Sequence, residues 1–244
     1  MFTTIKNSLL LGTVGLFSLG SLAYTKPSQA ASVNFSSWQQ AGDVVRTSSQ
    51  VTLTNAVSGD DVPTNFNISG TNPLPTGGGT GSLEAFLGLP NGTVLPGNGS
   101  TFGSQEGSAI RGTVSAANAE DVLRLTWNFS SNERSQTNPN NDYAFVTING
   151  VLLPPVASIS DATTASSPYA FTSGNRTFTY SLPVAGNYDV GIGIVDVNDT
   201  IASSRFIVSN ASVEPVPEPI TIVGSMMALG FGVKLRRRFG KKSS

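Results

Sequence analysis

Residues 122–129 read Val122-Leu123-Arg124-Leu125-Thr126-Trp127-Asn128-Phe129, with an apolar side chain at every second position from Leu123 onward. Side chains alternate across a strand with a period of two, so Leu123, Leu125, Trp127 and Phe129 share one face. Within a second predicted strand, Arg176–Leu182, the run Thr177-Phe178-Thr179-Tyr180-Ser181-Leu182 alternates in the same way. Further β-branched or aromatic runs predict strands at Val33–Trp38, Gln50–Asn55, Asn65–Ser69, Ala109–Ala116, Tyr143–Asn149, Tyr188–Val197 and Arg205–Ser209. Clusters of Gly, Pro and Asn separate them. Many short strands with such punctuation predict an all-β fold, a jelly-roll-like β-sandwich of about nine strands. Leu123, Leu125, Trp127, Phe129, Phe145, Phe178, Tyr180, Ile192 and Ile194 are its expected core. One helix is predicted: Ser82 as N-cap, Leu83 to Leu87 as the body, and Gly88 with Pro90 as the stop.

The segment from Ala31 to Val213 is long enough for one domain with a substantial core. Its cationic side chains are six arginines against thirteen acids, a net charge of −7 that the near-neutral whole chain conceals. Every lysine lies outside this segment. Such a surface lacks the basic patch that nucleic acid requires, so no nucleic-acid partner is expected. The chain has no cysteine and no histidine. Disulfides, thiol nucleophiles, Cys/His zinc sites and a Ser-His-Asp mechanism are therefore excluded.

Both ends carry signals. Lys6 precedes the apolar run Leu9 to Phe17, and Ser28-Gln29-Ala30 places small residues at −3 and −1, so residues 1–30 read as a secretory signal peptide cut by signal peptidase. At the other end, Val216-Pro217-Glu218-Pro219 leads into an apolar run, Ile220–Val233, followed by Lys234, Arg236, Arg237, Arg238, Lys241 and Lys242. As a helix that run spans about 21 Å, short of a hydrocarbon core of about 30 Å. The basic cluster should stay on the cytoplasmic side and leave the body outside. The organisation is then signal peptide 1–30, β-sandwich 31–213 and C-terminal signal 214–244, the last containing a transmembrane sorting helix.

This Pro-Glu-Pro motif, apolar run and basic end closely resemble the PEP-CTERM sorting signal of bacterial exported proteins. The resemblance implies a precursor held transiently in the membrane by its tail and handled by an exosortase-type processing protease. It implies export across the inner membrane to the cell surface or extracellular matrix. The body looks like a β-sandwich module recurrent in PEP-CTERM proteins of cyanobacteria and related bacteria. The residues that carry this likeness are Phe35, Trp38, Gly42-Asp43 and Leu53-Thr54-Asn55-Ala56, then Gly107-Ser108-Ala109-Ile110, Asp121-Val122-Leu123 and Trp127-Asn128-Phe129. Asn141-Asp142-Tyr143-Ala144-Phe145-Val146, Asn149-Gly150 and Gly191 to Val197 complete it. An acidic residue belongs near position 203 in that pattern; here Ser203 stands in its place. The resemblance implies fold and destination more than activity; the function expected of the chain is that of a structural or extracellular-polysaccharide-contacting module without catalysis.

Two polar clusters lie between strands: Glu133 with Asn138-Pro139-Asn140-Asn141-Asp142, and Asp196-Val197-Asn198-Asp199. Calcium takes six to eight oxygens from carboxylates, amides and carbonyls. Glu133, Asn141, Asp142, Asp196 and Asp199 supply that chemistry if the two loops meet at one end of the sandwich. Plain turn chemistry explains the same Asn/Asp content, and the segment does not meet the EF-hand spacing. The alternative function is a secreted carbohydrate-active enzyme with a carboxylate pair drawn from Glu84, Glu106, Glu133, Asp142, Asp196 and Asp199. Trp38, beside Gln39-Gln40, is the more open candidate for stacking on a sugar; Trp127 reads as core.

Overall fold

A computed structural model describes residues 29–59, 65–94, 104–133, 141–198, 200 and 202–216. The signal peptide up to Ser28, the motif residues Pro217, Glu218 and Pro219, the apolar run, the basic end and Asp199 lie outside the described residues. Among the described residues, no helix is long and apolar enough to cross a membrane.

The chain begins with β1 (Ala31–Ser32), β2 (Gln39–Ala41), β3 (Asp43–Arg46), β4 (Gln50–Thr54) and β5 (Leu74–Pro75). Helix α1 (Leu83–Leu87) follows, then β6 (Ser104–Ala116), β7 (Val122–Ser131), β8 (Tyr143–Ile148), β9 (Val151–Leu152) and β10 (Ala157–Ser158). The last third holds β11 (Thr164–Ala165), β12 (Phe171–Thr172), β13 (Arg176–Ser181), β14 (Gly186–Val197) and β15 (Ser204–Glu214). All pairings are antiparallel. One sheet runs β11-β12-β7-β15-β4-β3, with β1 on β15 and β13 on β7; the other runs β10-β8-β14-β6-β2, with β5 on β6 and β9 on β8.

The two sheets bury their apolar faces against each other. Val51 and Leu53 of β4, Leu123, Leu125, Trp127 and Phe129 of β7, and Phe206 and Val208 of β15 meet Ile110 of β6, Val146 of β8 and Val190, Ile192 and Ile194 of β14. Each set follows the period of two that the sequence showed. A second, smaller core covers the outer face of the β14 sheet, where Leu83 and Leu87 of α1 pack on Phe145, Val195 and Val197. The helix forms where expected: Ser82 Oγ accepts from Ala85 N–H at 3.2 Å, and Gly88 ends it in the left-handed region at φ 70°. Its close approach depends on Gly191, where a Cβ would stand 2.7 Å from Leu87. Arg111 anchors it from below, donating to the Phe86 carbonyl at 3.2 Å and to Asp189 at 2.8 Å.

Several expectations need correction. Among the described residues, fifteen strands replace about nine, because eight pieces of two to four residues join the seven longer strands. Val33–Trp38 is not a strand: Asn34 Oδ1 accepts from Ser36 N–H at 3.0 Å and starts a 3-10 turn over Phe35–Ser37. Asn65–Ser69 is a loop folded onto Asp43, which is fully buried and accepts from Ile68 N–H at 2.9 Å, Ser69 N–H at 2.7 Å and the Ser69 and Thr54 hydroxyls. Trp38 is buried edge-on to Phe35, with ring centroids 5.1 Å apart, and is not open to a sugar. Phe145 is buried, but under α1 and not between the sheets. Phe178 and Tyr180 are only half-buried, since β13 lies at a sheet edge.

Candidate functional site

The inward rows of the sandwich change character at one end. On β14 the row Val190, Ile192, Ile194 continues as Asp196, and on β8 Asp142 lies one alternation before Ala144 and Val146. On β6 the inward row containing Ile110 and Ser108 ends at Glu106, which stands directly opposite Asp196 in register. On the facing sheet, β4 continues from Val51 and Leu53 to Asn55, β15 begins at Ser204, and β7 passes Phe129 to reach Ser131 and Glu133. The apolar core thus gives way to a polar end whose members come from both sheets.

Asn55 joins the two layers. Its Oδ1 accepts from Ser204 N–H at 2.6 Å on one sheet, and its Nδ2 donates to Asp142 Oδ2 at 2.7 Å and Asp196 Oδ2 at 3.1 Å on the other. The second Asp142 oxygen accepts from Val197 N–H at 3.0 Å, at the bulge between Asp196 and Val197. Ser204 and Ser131 hydroxyls meet at 2.9 Å, and Ser131 Oγ accepts from Glu133 N–H at 3.0 Å. Relative exposure is 0% for Asp142, 2% for Asp196 and Asn55, and 7% for Glu133.

Of the sequence-derived candidates, the structure brings Asp142 and Asp196 together and places Glu133 two residues beyond the end of β7, its N–H on Ser131 Oγ. Asn141 is exposed, and Asp199 lies outside the described residues. Among the described residues, no set of three acids is arranged to enclose a metal ion. Asn55 was not anticipated as a site residue. Its signal was present, because an amide occupies the next inward position after Val51 and Leu53.

Two other places carry chemistry. Glu84 of α1 is fully buried; Oε1 accepts from Gly77 N–H at 2.9 Å, and Oε2 has no hydrogen-bond partner. Nearby, burial first and the Glu84 charge second push the Tyr143 phenol well above the usual tyrosine range. Between β13 and the loop after β9 lies an apolar groove of about 360 Å³, lined by Trp127, Pro154, Pro155, Val156, Phe178 and Tyr180. The Arg176 guanidinium sits 5.7 Å from the Trp127 ring and is paired with Asp161 at 2.6 Å.

No protein-family model matches the chain, and no curated protein matches it. Among solved structures, it is similar to a beta-glucosidase from Kluyveromyces marxianus in complex with glucose, at 11% identity and a TM-score of 0.26, over 73% of this chain and 17% of that one. A family 35 carbohydrate binding module from an environmental isolate matches at 18% identity and 0.26, over 50% of this chain and 82% of that one. The Agl-KA catalytic domain matches at 14% identity and 0.28, over 80% and 30%. This chain spans less than a fifth of the glucosidase. Likenesses at this level carry no argument about activity or ligand.

Proposed function

We propose that this chain is an exported β-sandwich module of the cell surface or extracellular matrix, jelly-roll-like in arrangement, structural or polysaccharide-contacting, and tied at one end by calcium. The observation that carries the calcium part is the meeting of Asp142 and Asp196 at Asn55, with Glu106 in register beside Asp196. These are hard oxygen donors, the type calcium selects. Burial keeps Asp142 and Asp196 from serving as the carboxylate pair of a carbohydrate-active enzyme, since a glycoside must reach both carboxylates.

Differential scanning calorimetry with calcium and with chelator tests the site. Binding to the folded state alone stabilises by about 2.7 kcal/mol at a hundredfold excess over the dissociation constant. Calcium should raise the melting temperature, and Asp142→Ala or Asp196→Ala should abolish the rise. Identical melting curves with calcium and with chelator would leave the acids as turn and core residues.

For export, the supporting observation is the exit path: β15 ends at Glu214, and Val216 emerges 43% exposed toward Pro217-Glu218-Pro219. Signal peptidase and an exosortase-type protease would act on the two ends, and the precursor would be membrane-held by its tail. Mass spectrometry of the mature protein should find termini near Ala31 and Pro217–Pro219. Recovery of Arg236–Ser244 in the mature extracellular form would refute this processing.

A further inference from the structure

Arg205, on the outer face of β15, is half-buried and has no acid paired with it. Among the described arginines, Arg111, Arg124 and Arg176 each pair with an acid, and Arg46 is held by Gln40 Oε1 and the Phe35 and Ser36 carbonyls. Arg205 makes one hydrogen bond, from Nη2 to Ser130 Oγ at 3.3 Å, and its Nε is buried without a partner. Its guanidinium lies 4.7 Å from the Tyr169 ring, which packs on Phe66 with centroids 4.6 Å apart. Among the described residues, the strands of the β7-β15-β4 sheet carry two acids, and both are engaged. Glu214 pairs with Arg124 at 2.8 Å, and Asp43 accepts from the Ile68 and Ser69 N–H groups and the Ser69 and Thr54 hydroxyls. The open face beside Arg205 is uncharged: Ile207 on β15, Thr126 and Asn128 on β7, and Gln50 and Thr52 on β4 are all exposed or half-exposed. Asn128 Oδ1 accepts from the Ser130 and Thr172 hydroxyls, each at 3.1 Å, which leaves the Nδ2 of the same amide as a further donor on this face.

We propose that Arg205 is the carboxylate-binding point of a polysaccharide surface, on which a glycan carrying isolated uronic acid residues lies across the outer face of this sheet. The inference rests on the polysaccharide-contacting reading above and names the sugar chemistry. Charge complementarity selects the occupant. A guanidinium takes a carboxylate through two parallel N–H bonds, and a partly desolvated cation without a counter-ion gains from one. The cation–π stack on Tyr169 holds the guanidinium in place before a ligand arrives. The threonine hydroxyls and the Asn128 and Gln50 amides both donate and accept, as sugar hydroxyls do. A densely charged polyanion fits less well, because Arg205 stands as one cation on a body of net charge −7, which repels it. Sparse carboxylates among sugar hydroxyls match one cation among neutral side chains.

The full chain in mild detergent, where its apolar run stays solvated, serves for the test, with chelator present so that calcium plays no part. The probes are aldotetraouronic acid, a xylotriose bearing one glucuronate, and its carboxyl-reduced form, each titrated calorimetrically. The wild-type chain should bind the acid at least tenfold more tightly than the reduced sugar. Arg205→Gln, which keeps a donor toward Ser130, should bind the two alike. Asn128→Asp keeps the acceptor for both hydroxyls and sets a carboxylate one hydroxyl away from the guanidinium. It should lose the preference too, with no fall in melting temperature, so the test does not depend on the glutamine variant folding. Equal affinity of the wild-type chain for the two sugars, or a preference that survives Asn128→Asp, would overturn the proposal and leave the polysaccharide reading standing. Binding of neither sugar would overturn both. Dextran sulfate that displaces the acid at equal charge would overturn the assignment to a carboxylate and make Arg205 a general anion site.

Discussion

Asn55→Ala probes the tie between the two sheets. It removes the Oδ1 that accepts from Ser204 N–H at 2.6 Å and the Nδ2 that donates to Asp142 at 2.7 Å and Asp196 at 3.1 Å. At 2% exposure, water does not replace these bonds. Hydrogen bonds to charged groups contribute about 1.5–3 kcal/mol each, and a buried donor left without its acceptor costs about 1–3 kcal/mol. The two carboxylate bonds share one nitrogen and the longer is weaker, so the three do not add fully. The expected loss is about 3–5 kcal/mol. For a domain of this size, each kcal/mol moves the melting temperature by about 2–4 °C, so the drop should be roughly 10 °C. Urea denaturation with an unchanged m-value measures it. Asn55→Asp serves as a companion: it keeps the shape but sets a third carboxylate against the other two. It should be at least as damaging in chelator and partly recovered by calcium. A loss under about 1 kcal/mol for the alanine variant would refute the account, because the amide would then not bridge buried groups.

Trp127→Ala should cost about 3–5 kcal/mol, since the ring is 5% exposed and packs 5.9 Å from Phe206; equilibrium unfolding checks it, and an unshifted midpoint contradicts its core role. Gly112→Ala places a Cβ 2.4 Å from the Trp38 ring, so the variant should lose about 1–3 kcal/mol and change its tryptophan emission. Tyr143 should make the fold alkali-sensitive. Its folded phenol titrates above the unfolded value near 10, so as pH rises past about 10 the unfolded chain releases a proton that the folded chain keeps, and stability falls. Tyr143→Phe should flatten that limb of a stability-versus-pH curve, and an unchanged limb would assign it to other groups.

Much of this architecture was legible because inward positions repeat every two residues. The Leu123–Phe129 row, Val190-Ile192-Ile194, and the Ser82–Gly88 helix all stand where side-chain periodicity and capping chemistry put them. Periodicity reports which residues share a face, but not what covers that face. Phe145 alternates correctly and is buried, yet by α1 on the outer side, and all six residues of β8 are buried because both its faces are covered. Phe178 and Tyr180 alternate equally well, but the edge position of β13 leaves them half-open. Val33–Trp38 fails for a local reason, as the Asn34 side chain captures the Ser36 N–H and turns the backbone. The acidic site was half legible. Asp142 and Asp196 were paired from loop composition, whereas Asn55, 87 and 141 residues away from them along the chain, is placed by sheet topology.

β15 has a mechanical consequence. Nine of its residues pair with β7 and five with β4, while β1 lies along its last turns of pleat at Ser212 and Val213. Its first residue belongs to the Asn55 end and its last to the exit toward the tail, about 35 Å apart at the rise of an extended strand. A load applied at the Asn55 end and resisted by a C-terminal tether would therefore run along β15. Its flanking bonds would be strained in shear, all together, instead of being unzipped one after another. A pulling experiment between Asn198 and Glu214 should accordingly show a single high-force rupture, whereas stepwise release at low force would mean the load bypasses that strand.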